Sequence, residues 1–459
     1  MTGAMFMAEC FKQEGVSKVF GQCGHTNYAL IDACHRNGIQ VYAWFELPHV
    51  SEKFWDDHPE WREKTALLQD AQLDWRKLMN LTNRAAFAEV ARGVHDLTGR
   101  FDWDGVNLAE LYFESLEGFD NPARFTPMNA DVRFEFRTAS GFDPLDLFGA
   151  RPLTKSTDSM VQFLNFRAEL ARRQQAEWIA QVEEIRKTKP WLDLTLTHVD
   201  DRFDTTMREK IGADASKTLP LLDQHDFTFL VEDPATIWNL GPQRYPQIAA
   251  RYAAITPHTE RLAIDINIVE RYQDVYPTKL QTGTELFALV HLAATAFPRV
   301  MLYFENSILG ADLALLPAAA ATVSRVEQSG EKLTVTSLRG VGVPWTGPAV
   351  VDGKPWPAAS DSTVWLPPGS HSIQPSVTKP VSRLVDLNAD LRSAVATPTG
   401  LEFTYQSNAR AFAIFDQFPL RIEIDGIAAY PQVAGNALVL PRGQHAVAIN
   451  PPLNKQTAR

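Results

Sequence analysis

Acidic residues recur at one kind of place along this chain, the end of a short apolar run. Glu46 closes "AWFEL", Glu110 and Glu114 fall in "NLAELYFES", Asp200 and Asp201 close "THVDD", Glu232 and Asp233 close "LVEDP", Asp265 stands in "AIDIN" and Glu305 in "YFENS". Two opposed carboxyl groups are what cleavage of a glycosidic bond requires: one protonates the leaving oxygen while the other attacks or activates water. Acids crowded into one pocket also push their pKa values apart, so that one keeps its proton near neutrality. On this reading Glu110, Asp200, Glu232, Asp265 and Glu305 are candidate catalytic groups. Aromatic rings follow the same runs, and their apolar faces suit the C–H faces of sugars. Trp44, Tyr112, Trp238 and Tyr272, with Glu46 and Asp201, are therefore candidate substrate-binding residues. Taken singly, each acid reads as a helix cap or an arginine partner; Asp233 before Pro234 reads as an N-cap with proline at the first helical position. Recurrence at the same end of successive strands is what argues for one shared site.

Such strand ends need a frame that gathers them. Apolar runs at 18–21, 40–47, 105–113, 192–199, 227–231, 261–268 and 299–304 alternate with helical patterns. In the helical pattern of 159–187, for instance, Phe163, Phe166, Leu170, Trp178, Val182 and Ile185 recur at helical spacing. Strands that read as apolar on both faces and alternate with helices predict a parallel sheet. A closed (β/α)8-type TIM barrel is favoured over an open doubly wound sheet, because only a barrel brings every strand end to one mouth. The runs number one fewer than a barrel of this type needs, and the shortfall lies at the N-terminal side. Two long segments, 48–80 and 115–157, leave strand ends and are placed to wall a cleft.

Beyond about residue 325 the pattern changes to short alternating runs broken by Pro and Gly, which predicts C-terminal all-β sandwich modules. "VVDGKPWPAASDSTVWLPPGSHSI" is echoed by "EIDGIAAYPQVAGNALVLPRGQHAV", aligning Asp352-Gly353 with Asp425-Gly426 and His371 with His445. The Asp-Gly pairs are turn signals, and the two histidines read as structural rather than as metal ligands.

Composition narrows the classes of function. The chain has 459 residues, 45% hydrophobic and 22% charged, an ordinary globular balance for two or three domains. A formal charge of −11 gives no support to nucleic-acid binding, which needs clustered Lys and Arg, and fits a neutral, hydroxyl-rich ligand better. No window approaches the roughly 20 apolar residues of a membrane span, and the start lacks a secretory signal, so the chain as written reads as cytoplasmic. "HVDD" offers His198, Asp200 and Asp201, but there is no early His-x-His, no His-Glu-x-x-His and no paired cysteine; neither a metal nor a cofactor is expected. The three cysteines, Cys10, Cys23 and Cys34, all lie in the first 34 residues.

Two resemblances add to this reading. "GIQVYAWFE", "HPEW" at 58–61 and "LMNLTNRAAFAEVARGVHDLTGRFDWDGVNLAELYF" resemble bacterial glycosyl-hydrolase-like barrel proteins distantly allied to the α-amylase superfamily. The resemblance implies a barrel over about 38–325, with Glu110 in the place of a strand-end acid of the site and Asp200 as the first partner to pair with it. Ala109 stands where such relatives often carry another Asp. The opening "MTGAMFMAECFKQEGVSKVFGQCGHTNYALIDACHRNGI" instead resembles the N-terminus of thiamine-diphosphate-dependent enzymes of the acetolactate synthase type, which implies a fused fragment over 1–37. The cofactor motifs that should follow in that family are missing, so thiamine chemistry is not expected.

The expected architecture is a foreign N-terminal segment at 1–37, a glycosidase-like TIM barrel at 38–325, and β modules at 326–385 and 386–459. The expected function is hydrolysis of a bacterial polysaccharide or oligosaccharide by a carboxylate pair, with no nucleic-acid partner and no membrane span. The rivals are a non-catalytic glycan-binding protein and a thiamine-dependent lyase or carboligase. Natural relatives of residues 40–450 are expected to carry a different N-terminus and to work in the periplasm or outside the cell.

Overall fold

A computed structural model of the chain describes residues 3–13, 16–21, 27–113, 115, 117–148, 157–268, 281–303 and 308–450. Its strands begin with β1 (Lys18–Gly21), β2 (Gln40–Glu46), the short pair β3 (Gln72–Leu73) and β4 (Arg76–Lys77), β5 (Gly105–Ala109), β6 (Asp193–Val199), β7 (Thr228–Glu232), β8 (Leu262–Asn267) and β9 (Arg299–Tyr303). All but β3 and β4 form one curled, seven-stranded parallel sheet in the order β1-β2-β5-β6-β7-β8-β9. Its edges approach each other at both ends. Trp44 of β2 stacks on Tyr303 of β9 with ring centroids 6.2 Å apart, and Arg299 lies near enough to Lys18 to affect its titration. Among the described residues no ladder joins β1 to β9, so the fold is a partial TIM barrel.

Alternation along each strand explains the curl. Trp44 and Glu46 face the central cleft, so by period two Gln40 and Tyr42 face inward as well, while Val41 and Ala43 pack outward into the core under the helices. On β6, Leu194 and Leu196 join that core and Asp193, Thr195 and Thr197 face inward; on β8, Ile264 and Ile266 lie outward and Asp265 and Asn267 inward. The strands thus carry most of their aliphatic residues on the helix side, with polar groups and a few apolar ones such as Trp44 and Leu230 on the inner face, rather than the fully two-sided apolar pattern expected. The inner face is buried yet polar, held by contacts such as Thr197 Oγ1 donating to Asn107 Oδ1 at 3.0 Å. Gly105 is required at its position: a Cβ there would sit 2.1 Å from the Tyr42 ring that fills the barrel floor. Outside, the helix Thr157–Arg186 lays Trp178, Ile179, Val182 and Ile185 on the sheet.

The N-terminal residues complete this frame. β1 pairs with β2 from Lys18↔Gln40 to Gly21↔Ala43, and Ile31, Ala33 and Cys34 of the helix Asn27–Arg36 share the barrel core. Burial pushes the Cys34 thiol up to about 12; Cys23 lies outside the described residues.

The internal repeat is a structural one. Val323–Ser329, Lys332–Ser337, Gly369–Pro375, Ala349–Val351 and Lys354–Pro355 form a sheet whose order is repeated by Asp390–Thr397, Gly400–Ser407, Gly443–Asn450, Arg421–Ile424 and Ile427–Ala429. Both turn aspartates adopt left-handed backbone, Asp352 at φ 51° and Asp425 at φ 53°. Each accepts from the same two positions: Ser372 N at 2.8 Å and His371 Nδ1 at 2.7 Å, Ala446 N at 2.9 Å and His445 Nδ1 at 2.7 Å. Both histidines therefore serve the turn. The two repeats share one buried core.

The second repeat is docked under the barrel, at the N-terminal ends of its strands. Arg410 Nε donates to Asp104 Oδ1 at 2.5 Å just before β5, and its Nη2 meets Asp102 Oδ2 at 3.0 Å. Gln40 Nε2 donates to the Arg410 carbonyl at 2.6 Å, His35 stacks on Phe412 at 5.0 Å, and Arg442 pairs with Asp226 below β7. Burial opposes charge on Asp104, but His35 and Arg410 hold its carboxyl below the usual range. The β modules brace the floor of the barrel, opposite the mouth.

Candidate functional site

At the mouth, four strand-end acids line one cleft: Glu46 of β2, Glu110 after β5, Glu232 of β7 and Asp265 of β8. Trp44, Trp75, Tyr112, Trp238 and Tyr303 supply its aromatic walls.

Each acid arrives by a distinct local device. Glu46 and Glu232 end their strands on the inward parity, and Asp265 sits two residues before Asn267 on the inner face of β8. Glu110 is the first residue past β5 and turns in at φ 60°, with Tyr112 N donating to its carbonyl at 2.7 Å. A left-handed glutamate costs of order 1–3 kcal/mol, and such strain concentrates at functional sites. The segment 48–80 contributes a wall. Its hairpin β3–β4 presents Asp74, Trp75 and Arg76 to the cleft, and Arg76 Nη2 meets Glu110 Oε1 at 2.6 Å.

Low polarity and crowding govern these carboxyls. Burial pushes Glu110 up to about 8; the Arg76 guanidinium opposes this, and the neighbouring Glu46 and Glu232 add to it. Burial pushes Glu232 up to about 7, again against Arg76, with Asp233 next in effect. Asp265 is raised well above the usual carboxylate range by burial and by the charges of Glu232 and Asp233, and its Oδ1 has no hydrogen-bond partner among the described residues. The site thus holds protons near neutrality, which suits acid–base work.

Other predicted acids are placed elsewhere. Asp200 is fully buried and does not line the cleft; its oxygens accept from the backbone N–H of Arg202, Phe203 and Asp204 at 2.9–3.2 Å. Burial raises its pKa against those donors. Asp201 faces Arg202 at 2.7 Å, Ala215 N at 3.0 Å and His198 Nε2 at 3.4 Å; burial would raise its pKa, but His198 and Arg202 hold it well below the usual range. Asp233 is no helix cap, as Pro234 takes that position before the short 3-10 turn Ala235–Leu240. It is instead a buried hub for Arg244 Nη2 at 2.7 Å, Tyr245 OH at 2.9 Å and Asn267 N at 3.2 Å. Trp44, Tyr112 and Trp238 line the cleft. Glu305 and Tyr272 lie outside the described residues, as do Glu114 and Tyr276.

The residues that sequence reasoning missed are Asp74, Trp75, Arg76, Lys210, Asn267 and Tyr303. Asn267 could have been found from its even spacing to Asp265. Arg76 had no signal beyond lying in a long loop that leaves a strand end.

No protein-family model and no curated protein sequence matches the chain. Among solved structures it is similar to the PgaB (BpsB) glycoside hydrolase domain from Bordetella bronchiseptica, with a TM-score of 0.48 and 11% identity over 66% of this chain and 88% of that one. A β-galactosidase from the psychrophilic Marinomonas ef1 gives 0.45 and 13% over 65% of this chain and 51% of that one. An Anoxybacillus α-amylase gives 0.35 and 11% over 82% and 90%. The chain spans about half the length of the galactosidase. Likeness at this level concerns architecture, and the chemistry has to be read from the cleft.

Proposed function

We propose that the protein is a glycoside hydrolase acting on a polysaccharide or oligosaccharide. The observation that carries this reading is that four carboxylic acids from four strands share one aromatic-walled cleft at the C-terminal end of the sheet. Glu110, which holds its proton more tightly, is the general acid; Glu232, with the lower pKa, is the opposed carboxylate. Glu110 protonates the glycosidic oxygen as the C–O bond breaks and its electron pair passes to that oxygen. Water supplies the hydroxyl to the anomeric carbon: in a direct displacement it loses its proton to the Glu232 carboxylate, whereas if a glycosyl ester first forms on Glu232, water loses its proton to the Glu110 carboxylate and Glu232 leaves as the free carboxylate. Trp44, Trp75 and Trp238 offer flat apolar faces to sugar rings, with Glu46 and Asp265 as hydrogen-bonding partners of hydroxyls.

The test is release of reducing ends from a panel of bacterial exopolysaccharides, followed by Glu110→Gln and Glu232→Gln on whichever substrate is cut. Each amide variant is expected to lose about 100- to 10,000-fold in kcat while still binding the glycan. Undiminished turnover in both would overturn the site assignment, and binding without cleavage across the panel would favour a glycan-binding protein.

A further inference from the structure

Arg76 reaches the cleft from the hairpin β3–β4, yet it pairs with an acid 34 residues further along the chain. Both partners are largely enclosed, with side-chain exposures of 11% for Arg76 and 16% for Glu110. The hairpin is anchored on both sides. At its turn, Asp74 at φ 56° accepts a two-pronged contact from Arg124, Nη1 to Oδ1 at 3.1 Å and Nη2 to Oδ2 at 2.8 Å. At its base, Lys77 N donates to His49 Nδ1 at 2.9 Å and Val50 N to the Lys77 carbonyl at 3.1 Å. The guanidinium also lies over the Trp75 ring at 4.9 Å, which restricts its swing. Glu110 is fixed from its own side by the left-handed turn that ends β5.

On the glycosidase reading given above, we propose that Arg76 is a positioning residue: it grips Glu110 through Oε1, leaves Oε2 to carry the proton, and so makes the hairpin and the strand end into one acid. The contact does two things that a lone buried glutamic acid could not. It selects one rotamer and one oxygen for proton delivery, and it neutralises the carboxylate left behind when the proton has passed to the leaving oxygen. Among the described residues, the other charged or titratable groups facing this pair are Glu46 from β2, Asp74 on the hairpin, Tyr112 just after Glu110, Lys210 from the helix Met207–Ile211, Glu232 from β7, Asp265 from β8 and Tyr303 from β9, with His49 behind Arg76. Six of them are acids or phenols, so among the described residues Arg76 is the principal counterweight to negative charge on Glu110.

Two variants test this, Arg76→Met, which keeps the stem, and Arg76→Lys, which keeps a charge without the fork. An opposite charge at this range moves a carboxyl by about 1–3 pH units. In the full-length protein, the Glu110 carboxyl is titrated by difference infrared spectroscopy against Glu110→Gln. Its midpoint is expected to rise by at least about one pH unit in Arg76→Met and by less in Arg76→Lys. On any glycan that the wild type cuts, kcat should fall at least about tenfold in Arg76→Met, with little change in KM, and the alkaline limb of the pH profile should move upward. Aryl glycosides with good leaving groups, which need little protonation, should be spared. An unmoved Glu110 midpoint in a folded Arg76→Met protein overturns the proposal whether or not a substrate has been found. A moved midpoint with no cleavage of any glycan by the wild type supports the pairing and removes the glycosidase reading instead.

Discussion

Asp200 and Glu232 both end barrel strands, and their surroundings separate them. Three backbone N–H groups take up the oxygens of Asp200, whereas Glu232 looks into the cleft beside Glu46, Glu110 and Asp265. A pH profile follows from the site carboxyls. In the proposed mechanism Glu232 has to be ionised and is pushed up to about 7, while Glu110 has to be protonated and is pushed up to about 8. Activity on a cleaved glycan is expected to rise through about 7, to peak in a narrow band and to fall above about 8, as kcat/KM measured across pH would report. The same shifts bear on stability. A carboxyl whose folded pKa is raised contributes stability that is present below its unfolded value near 4 and is lost as pH climbs through the folded value. The amide cannot ionise, so Glu110→Gln is expected to melt above the wild type at pH 8 and level with it near pH 4. A melting gain that grew toward acid pH would contradict this. The strand-end acids could be found because each ends a local run; their division into capped and cleft-facing groups could not, because the donors to Asp200 and Asp201 depend on how the chain turns after β6.

At the scale of elements, the tightest coupling is the plug that the second β repeat drives into the barrel floor. Arg410, Asp104, His35 and Gln40 are all at most 6% exposed, so their charges and dipoles depend on one another and on a few fixed neighbours such as Asp102 and Val41 N. Removing one partner of such a set leaves an uncompensated buried charge, typically at about 3–5 kcal/mol. Arg410→Met is expected to lose about that much stability in denaturant unfolding, and adding Asp104→Asn should recover part of it; full additivity of the two losses would mean that the pair does not interact. Nothing in "NARAF" around Arg410 announces this role, since its partner lies 306 residues away. The repeat itself was visible, because Asp352-Gly353 and Asp425-Gly426 dictate the same turn wherever they occur.

For the whole molecule, the polar floor joins two hydrophobic cores, one of the barrel and one shared by both β repeats. The contacts between them run from the helix Asn27–Arg36 through Gln40, Asp104 and Asp226 to Arg410, Phe412 and Arg442. Calorimetry of the full chain is therefore expected to give one cooperative transition rather than two. Two well-separated transitions would mean that the β repeats fold independently of the barrel.

What the sequence by itself determined is what depends on short range: the strands, as apolar runs separated by helical patterns; the acids and aromatics at their ends; the paired turns of the two repeats. It also determined that acids would meet, because parallel strands joined by helices deliver their C-terminal ends to one side. Only the tertiary structure decided which acids face the cleft, that Arg76 grips Glu110, and that the β repeats lie under the barrel rather than at its mouth. The last two rest on contacts between residues tens to hundreds of positions apart, whose geometry is set by the packing of whole elements; Asp200 is instead taken up by N–H donors two to four residues on, through a turn that its spacing alone does not specify.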